Sequence, residues 1–203
     1  VDATAAGSFG VDAVVLIFYG PSPRAVSIEQ AADIADSLPA LVHVVGVFVV
    51  PNEKEIATML SKVRLTLLQF HGGESAEFCN RFGMPYIKTL RMSDDSDSEI
   101  YARSYPQACA LLLDTYESER YGGTGSVFPW ERAKQCHSSP VIIAGGIDAS
   151  NVSAALSKSR AYAVDVSSGV ETSPGQKDTK KIQSLICAVR DHDQMQRDKD
   201  GAD

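Results

Sequence analysis

Short apolar segments alternate with amphipathic segments along nearly the whole chain, and this alternation constrains the fold more than any other feature. The apolar segments include VDAVVLIFY (11–19), HVVGVFVV (43–50) and ACALLLDT (108–115). Helix-like stretches lie between them, such as residues 27–38, where Ser27 is a candidate N-cap and Gln30 occupies the capping-box position. Seven such strand–helix units with short connections predict parallel strands covered by helices.

Seven repeats of this kind fit a closed barrel better than an open sheet. The first residues, DATAAGSFG, resemble the end of a helix that is capped by Gly10, and no strand precedes them. We therefore expect an α/β protein, a (β/α)8 TIM barrel whose first strand is missing from this chain. The expected domain covers residues 1–190. The charged tail, residues 191–203, is expected to be disordered.

Composition and charge exclude several classes of protein. The net charge of −7 disfavours binding to nucleic acid, and no apolar run is long enough to span a bilayer. The four cysteines show neither CxxC spacing nor a metal-ligand cluster, which indicates free thiols and no metal. A cytoplasmic protein without nucleic-acid or membrane partners is the expectation, and a monomer and a homodimer both remain open.

The carboxyl ends of the predicted strands carry polar residues, and in a parallel barrel the active site forms at these ends. Asp114 ends the apolar run ALLLD, so it is expected at the barrel mouth with one apolar side. Partial removal from water favours a protonated carboxyl group, which makes Asp114 a candidate general acid. A capping or turn role is the alternative. The following YGGTG segment (121–125) is a candidate loop that closes on a ligand.

Two glycine-containing segments, AGGI (144–147) and SSGVE (167–171), follow the last two predicted strands. Backbone N–H groups can approach an anion closely where side chains are small, so these segments predict a phosphate site. Tight turns without a ligand are the alternative. The candidate phosphate-binding residues are Gly145, Gly146, Ser167, Ser168 and Gly169.

Two further candidates follow earlier strands. Arg24 lies in the rigid PSPR turn, from which a guanidinium group can pair bidentately with a carboxylate. A solvated loop arginine is the alternative. His71, in QFHGGE, is a candidate ligand contact, and a packed, hydrogen-bonded histidine fits the sequence equally well.

Five groups of residues resemble the phosphoribosylanthranilate isomerase family of tryptophan biosynthesis. They are FYGPSPRAVS, LLQFHGGES, LLLDTY with YGGTG, IIAGGI and VDVSSGVETSPGQKD, in the family's order and over nearly the whole chain. The resemblance implies a barrel enzyme without metal or cofactor that binds a phosphorylated sugar substrate. It also implies the reaction, an Amadori aldose–ketose isomerisation of N-(5-phosphoribosyl)anthranilate to 1-(2-carboxyphenylamino)-1-deoxyribulose 5-phosphate.

The resemblance further implies roles for individual residues. Asp114 stands at the family's general-acid position, and Arg24 matches the residue that holds the anthranilate carboxylate. Asp165, near the end of the last predicted strand, resembles a polar substrate-site residue. The two glycine-containing segments match the family's phosphate loops.

One departure from the family concerns the general base. The family opens with a strand of the pattern K-x-C-G-[IL], whose cysteine removes a proton, and no cysteine of this chain replaces it by position. We therefore expect weak turnover or none. A non-catalytic phosphosugar-binding barrel is the alternative. A histidine-pathway type of isomerase for a bisphosphate is less favoured, because the first half of the chain lacks a matching second phosphate segment beyond Gly72 and Gly73.

Overall fold

Seven parallel strands follow one another along the chain, and each pairs with the next in sequence order. The computed structural model describes residues 2–115 and 128–200. Within this part of the chain, β1 and β7 are the two edge strands of the curled sheet. The strands are β1 (Ala13–Ile17), β2 (His43–Phe48), β3 (Leu67–Phe70), β4 (Tyr86–Met92), β5 (Ala110–Thr115), β6 (Val141–Ile143) and β7 (Ala163–Val164).

Helices precede and connect these strands. Ser27 caps α2, and the predicted capping box with Gln30 is present, since each residue's side chain accepts a hydrogen bond from the other's backbone N–H. The α-helices are α1 (Asp2–Phe9), α2 (Ile28–Ser37), α3 (Glu53–Lys62), α4 (Ala76–Asn80), α5 (Ser98–Arg103), α6 (Val152–Ser159) and α7 (Thr179–Asp200). Two 3-10 helices (Trp130–Gln135 and Ser168–Val170) and a short hairpin, β8 (Glu171–Ser173) with β9 (Gln176–Lys177), complete the described elements.

The alternation of side chains along β5 shows how the sheet separates the core from the site. Leu111 and Leu113 pack into the larger core between the sheet and the helices. Leu112 instead packs with Ile87 and Ala144 on the other, concave side. Because side chains two positions apart share a face, Asp114 follows Leu112 onto the concave side. The strand that fills the core with leucines therefore also delivers a carboxylate to the interior of the curled sheet.

The α/β prediction is confirmed, since the described residues form a curled parallel sheet of seven strands together with helices. The tail differs from the expectation: α7 continues to Asp200, so residues 191–200 are helical rather than disordered, and His192 within them is buried. The charged composition of these residues predicted disorder, but the helix that begins at Thr179 continues through them. The YGGTG segment lies outside the described residues. None of the described helices combines the length and the apolar character that a membrane span requires.

Candidate active site

Asp114 is buried at the end of β5, where it meets His71 from the loop after β3. Its Oδ2 lies 3.4 Å from His71 Nε2, and its Oδ1 accepts a hydrogen bond from the backbone N–H of Thr115 at 2.9 Å. The other ring nitrogen of His71, Nδ1, lies 3.3 Å from Gln69 Nε2. The carboxylate is thus held in one orientation by a backbone donor on one side and an imidazole on the other.

Asp165 follows β7 and is electrostatically coupled to Asp114. Burial raises the pKa of Asp165, and the neighbouring charge of Asp114 raises it further. Electrostatic interactions with His71 and Lys177 oppose this rise in the pKa of Asp165 without cancelling it. Two carboxylates with a histidine and a lysine nearby form a site that can hold and transfer a proton.

The AGGI segment lies directly against the Asp114 carboxylate. Gly145 and Gly146 have positive φ angles of 86° and 64°, a region in which side chains are strained. A Cβ atom on Gly145 would stand only 2.5 Å from Thr115 Oγ1 and 3.0 Å from Asp114 Oδ1. Glycine is therefore required at position 145 by backbone conformation and by the closeness of the candidate acid.

The SSGVE segment packs against the AGGI segment through Gly169. A Cβ atom on Gly169 would lie 2.0 Å from the carbonyl oxygen of Ile147, so the two segments touch backbone to backbone. Ser167 directly precedes the 3-10 helix Ser168–Val170, and its carbonyl accepts a hydrogen bond from Lys177 Nζ at 3.0 Å. The two predicted phosphate segments therefore form one continuous surface with a lysine beside it.

Arg24 does reach the same rim, and there it is bound by Glu171. Arg24 Nε and Nη2 donate to the two carboxylate oxygens at 2.9 and 2.7 Å, and Lys177 Nζ donates to Oε1 at 2.9 Å. Burial by itself would raise the pKa of Glu171, but the hydrogen bonds from Arg24 and Lys177 outweigh it and lower the pKa. The structure thus supplies the carboxylate partner of Arg24 from the chain itself.

A cavity of about 2320 Å³ runs through the concave side of the sheet and joins these groups. Eight of the nine candidate residues line this cavity. The ninth, Gly169, does not line it, but its backbone packs against Ile147, which does. The eight lining residues are Arg24, His71, Asp114, Gly145, Gly146, Asp165, Ser167 and Ser168. In the described part of the chain, no group of three His, Cys, Asp or Glu side chains could hold a metal ion.

Sequence reasoning did not identify two residues of this cavity, Glu171 and Lys177. Both lie in the motif VDVSSGVETSPGQKD, but neither was assigned a role. The acidic Glu171 directly after an apolar residue, with a lysine six positions later, is the signal that was available. Its meaning depends on the β8–β9 hairpin, which folds Lys177 back onto Glu171.

Comparisons with known proteins extend over almost the whole chain. The family model described as N-(5'phosphoribosyl)anthranilate (PRA) isomerase matches residues 2–188. An N-(5'-phosphoribosyl)anthranilate isomerase of Pseudomonas fluorescens is 48% identical over 189 residues, which cover 93% of this chain and 90% of that protein. The one from Alcanivorax borkumensis is 45% identical over 196 residues and covers the same shares.

Solved structures show the same fold. The phosphoribosyl anthranilate isomerase of Thermus thermophilus superposes with a TM-score of 0.84 at 32% identity, over 94% of this chain and 93% of that one. A second phosphoribosyl anthranilate isomerase, in complex with reduced 1-(o-carboxyphenylamino)-1-deoxyribulose 5-phosphate, gives a TM-score of 0.79 at 33% identity, over 93% of this chain and 92% of that one. The resemblance noted from the motifs is confirmed, whereas the accompanying expectation of a missing strand and cysteine is not borne out.

Proposed function

The chain belongs to the N-(5′-phosphoribosyl)anthranilate isomerase family, and from this premise we propose how its residues bind the substrate and supply the first proton of the reaction. The reaction is an intramolecular aldose–ketose isomerisation, in which substrate and product have the same atoms. It begins when an acid protonates the furanose ring oxygen and the ring opens to a Schiff base. Removal of the C2′ proton by a general base then gives an enolamine, which tautomerises to the ketone.

We assign the first proton transfer to Asp114. Its carboxyl group is buried on the concave side of the sheet and is oriented by the Thr115 N–H and the His71 ring. A fixed and largely dehydrated acid can transfer its proton to a ring oxygen without first reorganising water. Asp165, whose pKa is raised beside it, contributes a second polar group for the sugar hydroxyls.

We assign the substrate phosphate to the surface formed by the two glycine-containing segments. Gly145, Gly146, Ser167 and Ser168 line the cavity there, and the backbone contact at Gly169 holds the two segments together. Small residues let several backbone N–H groups approach one phosphate. Lys177, hydrogen-bonded to the Ser167 carbonyl, adds a positive charge at the edge of this surface.

Arg24 is the candidate for the anthranilate carboxylate. Arg24 donates to Glu171 through Nε and Nη2, so, among the described residues, the N–H groups of Nη1 can donate to a ligand. Glu171 fixes the plane of the guanidinium group, which lowers the entropy cost of binding a second carboxylate. Arg24 is 15% exposed in its side chain and lines the cavity, so a ligand can reach it.

One observation carries this proposal: the Asp114 carboxylate adjoins Gly145 of the phosphate surface on the wall of one cavity. A single small phosphosugar can therefore contact the acid and the phosphate surface together. The direct experiment follows the loss of substrate fluorescence at steady state. Saturable turnover that is competitively inhibited by the reduced product analogue supports the proposal. Tight binding of the analogue without turnover would instead support a non-catalytic phosphosugar-binding protein.

We further propose that the enzyme is cytoplasmic and is a monomer or a homodimer. All four cysteines are unpaired, which fits a reducing compartment. A related solved structure describes monomers made from the dimeric phosphoribosylanthranilate isomerase of Thermotoga maritima, so both states occur among relatives. Light scattering coupled to size-exclusion chromatography distinguishes the two states for this chain.

A further inference from the structure

A buried ion pair lies behind the active-site wall, and the mechanism above does not use it. Lys88 on β4 is fully buried in its side chain, and the Glu74 side chain is 2% exposed. Their Nζ and Oε2 atoms are 2.8 Å apart. Buried ion pairs contribute little to stability compared with apolar residues of the same size, because removing both charges from water is costly. Such a pair therefore calls for another explanation.

The Lys88 ammonium group holds the backbone on both sides of His71. Its Nζ donates to the carbonyl of Phe70 at 3.3 Å and to the carbonyl of Gly72 at 2.5 Å, besides its bond to Glu74. An ammonium group has three protons, so all three are used. Two of the three hydrogen bonds go to the residues on either side of His71, which contacts Asp114.

The Glu74 carboxylate ties the same loop to its neighbour. It accepts hydrogen bonds from the Gly72 N–H at 3.0 Å and from the Val50 N–H at 2.7 Å. Val50 is β-branched and has φ of +48°, a strained conformation that persists only where surrounding contacts enforce it. The carboxylate therefore joins the loops after β2 and β3, and the lysine of β4 neutralises it.

Gly72 has no space for a side chain within this network. A Cβ atom there would lie 2.7 Å from Val50 Cγ2 and 2.8 Å from Glu74 Oε1. At the adjacent Gly73, a Cβ atom would meet nothing within 4 Å. Of two consecutive glycines, only the first is sterically required, and it is the one that carries the hydrogen bonds to Lys88 and Glu74.

We propose that Lys88 and Glu74 are positioning residues for the reaction, and that they act by fixing His71 against Asp114. This inference rests on the proposed function, because it assigns an indirect role in the same site. Neither residue lines the central cavity, so neither contacts substrate. Their effect passes through the backbone of 70–72, which sets where the imidazole lies.

The test uses the double variant Glu74→Gln/Lys88→Met, which removes both charges together and so leaves no uncompensated buried charge. We expect kcat to fall about tenfold or more, with KM changed by less than about threefold, because a misplaced orienting group affects the transition state more than ground-state binding. The matched control is Glu77→Gln, which removes an exposed ion pair with Arg81 and should change neither constant.

A second pair of variants covers the case in which the double variant does not fold. Gly72→Ala should reduce kcat in the same way, whereas Gly73→Ala should leave kinetics unchanged. If both alanine variants are folded and have kcat values within about twofold of the parent, the proposed role is wrong. The same conclusion follows if the folded double variant keeps the parent kcat and loses only thermal stability.

An NMR readout separates this inference from the proposed function. The imidazole signals of the four histidines are compared between the parent and the double variant. We expect the His71 signal to shift or broaden while those of His43, His137 and His192 stay in place, whether or not the protein turns over substrate. An unchanged His71 signal would overturn the positioning role. Failure of the parent to isomerise substrate would contradict the proposed function alone.

Discussion

Arg24 and Glu171 stand 147 positions apart in the chain and form a two-point ion pair at the rim, with N···O distances of 2.9 and 2.7 Å. The pair connects the turn after β1 to the β8–β9 hairpin. It presents the guanidinium group to the cavity in a fixed plane. Recognition of the substrate carboxylate in this account depends on that preorganisation.

Replacing Arg24 by alanine should raise KM by about tenfold to a hundredfold, because a hydrogen bond to a charged group contributes about 1.5–3 kcal/mol. The kcat should change by less than about threefold, since the residue does not take part in proton transfer. Steady-state kinetics with Arg24→Ala checks this, with Arg81→Ala on the exposed surface as control. A KM equal to that of the parent would reduce Arg24 to a structural partner of Glu171.

Replacing Glu171 by glutamine should make the thermal stability of the protein vary less with pH in the acid range. The pKa of Glu171 is lowered below its usual value of 4.5. Its stabilising effect is therefore present above pH 4.5 and is lost as pH falls through the lowered folded-state pKa. At pH 7 we expect Glu171→Gln to lower Tm by about 2–6 °C, and the difference from the parent should shrink towards pH 3. Thermal melts of the variant and the parent across that pH range test this. A Tm difference that stays constant with pH would contradict the account.

Asp165→Asn should stabilise the protein and impair catalysis. The pKa of Asp165 is raised in the fold, so ionisation costs stability as pH rises from the ordinary aspartate pKa through the folded-state value. Asparagine removes that cost, and Tm at pH 7 should rise by about 2–4 °C. The catalytic efficiency kcat/KM should fall by about tenfold or more, because the substrate loses a carboxyl group as hydrogen-bond partner. Melting curves and steady-state kinetics on the same preparation test the expected rise in Tm and the expected fall in kcat/KM.

Gly169→Ala should weaken phosphate binding and lower stability. Its Cβ would meet the Ile147 carbonyl at 2.0 Å, so the two phosphate segments must separate. We expect a loss of about 1–3 kcal/mol in the free energy of unfolding. Binding of the reduced product analogue, measured by calorimetry, should weaken in parallel. Gly20→Ala is the control, since a Cβ atom there meets nothing within 4 Å. If Gly169→Ala and Gly20→Ala have the same free energy of unfolding and the same affinity for the analogue, the proposed packing is wrong.

The sequence predicted those features that follow from local pattern. Apolar runs and caps such as Ser27 fix which residues become strands and helices, and parallel strands bring Asp114 and Gly145 to one rim. It could not predict the partner of Arg24, because the contact with Glu171 depends on long-range packing. For the same reason the sequence does not distinguish Lys88 from any other strand lysine, although its ammonium group is bound by the end of β3 and by the loop that follows it.

The kcat of Asp114→Asn tests the central claim most directly. Asparagine keeps the shape of the side chain but cannot donate a proton to the ring oxygen. We expect kcat to fall by about a hundredfold or more, while the dissociation constant of the reduced product analogue stays within about threefold of the parent. A folded Asp114→Asn variant that isomerises substrate at the parent rate would contradict the account.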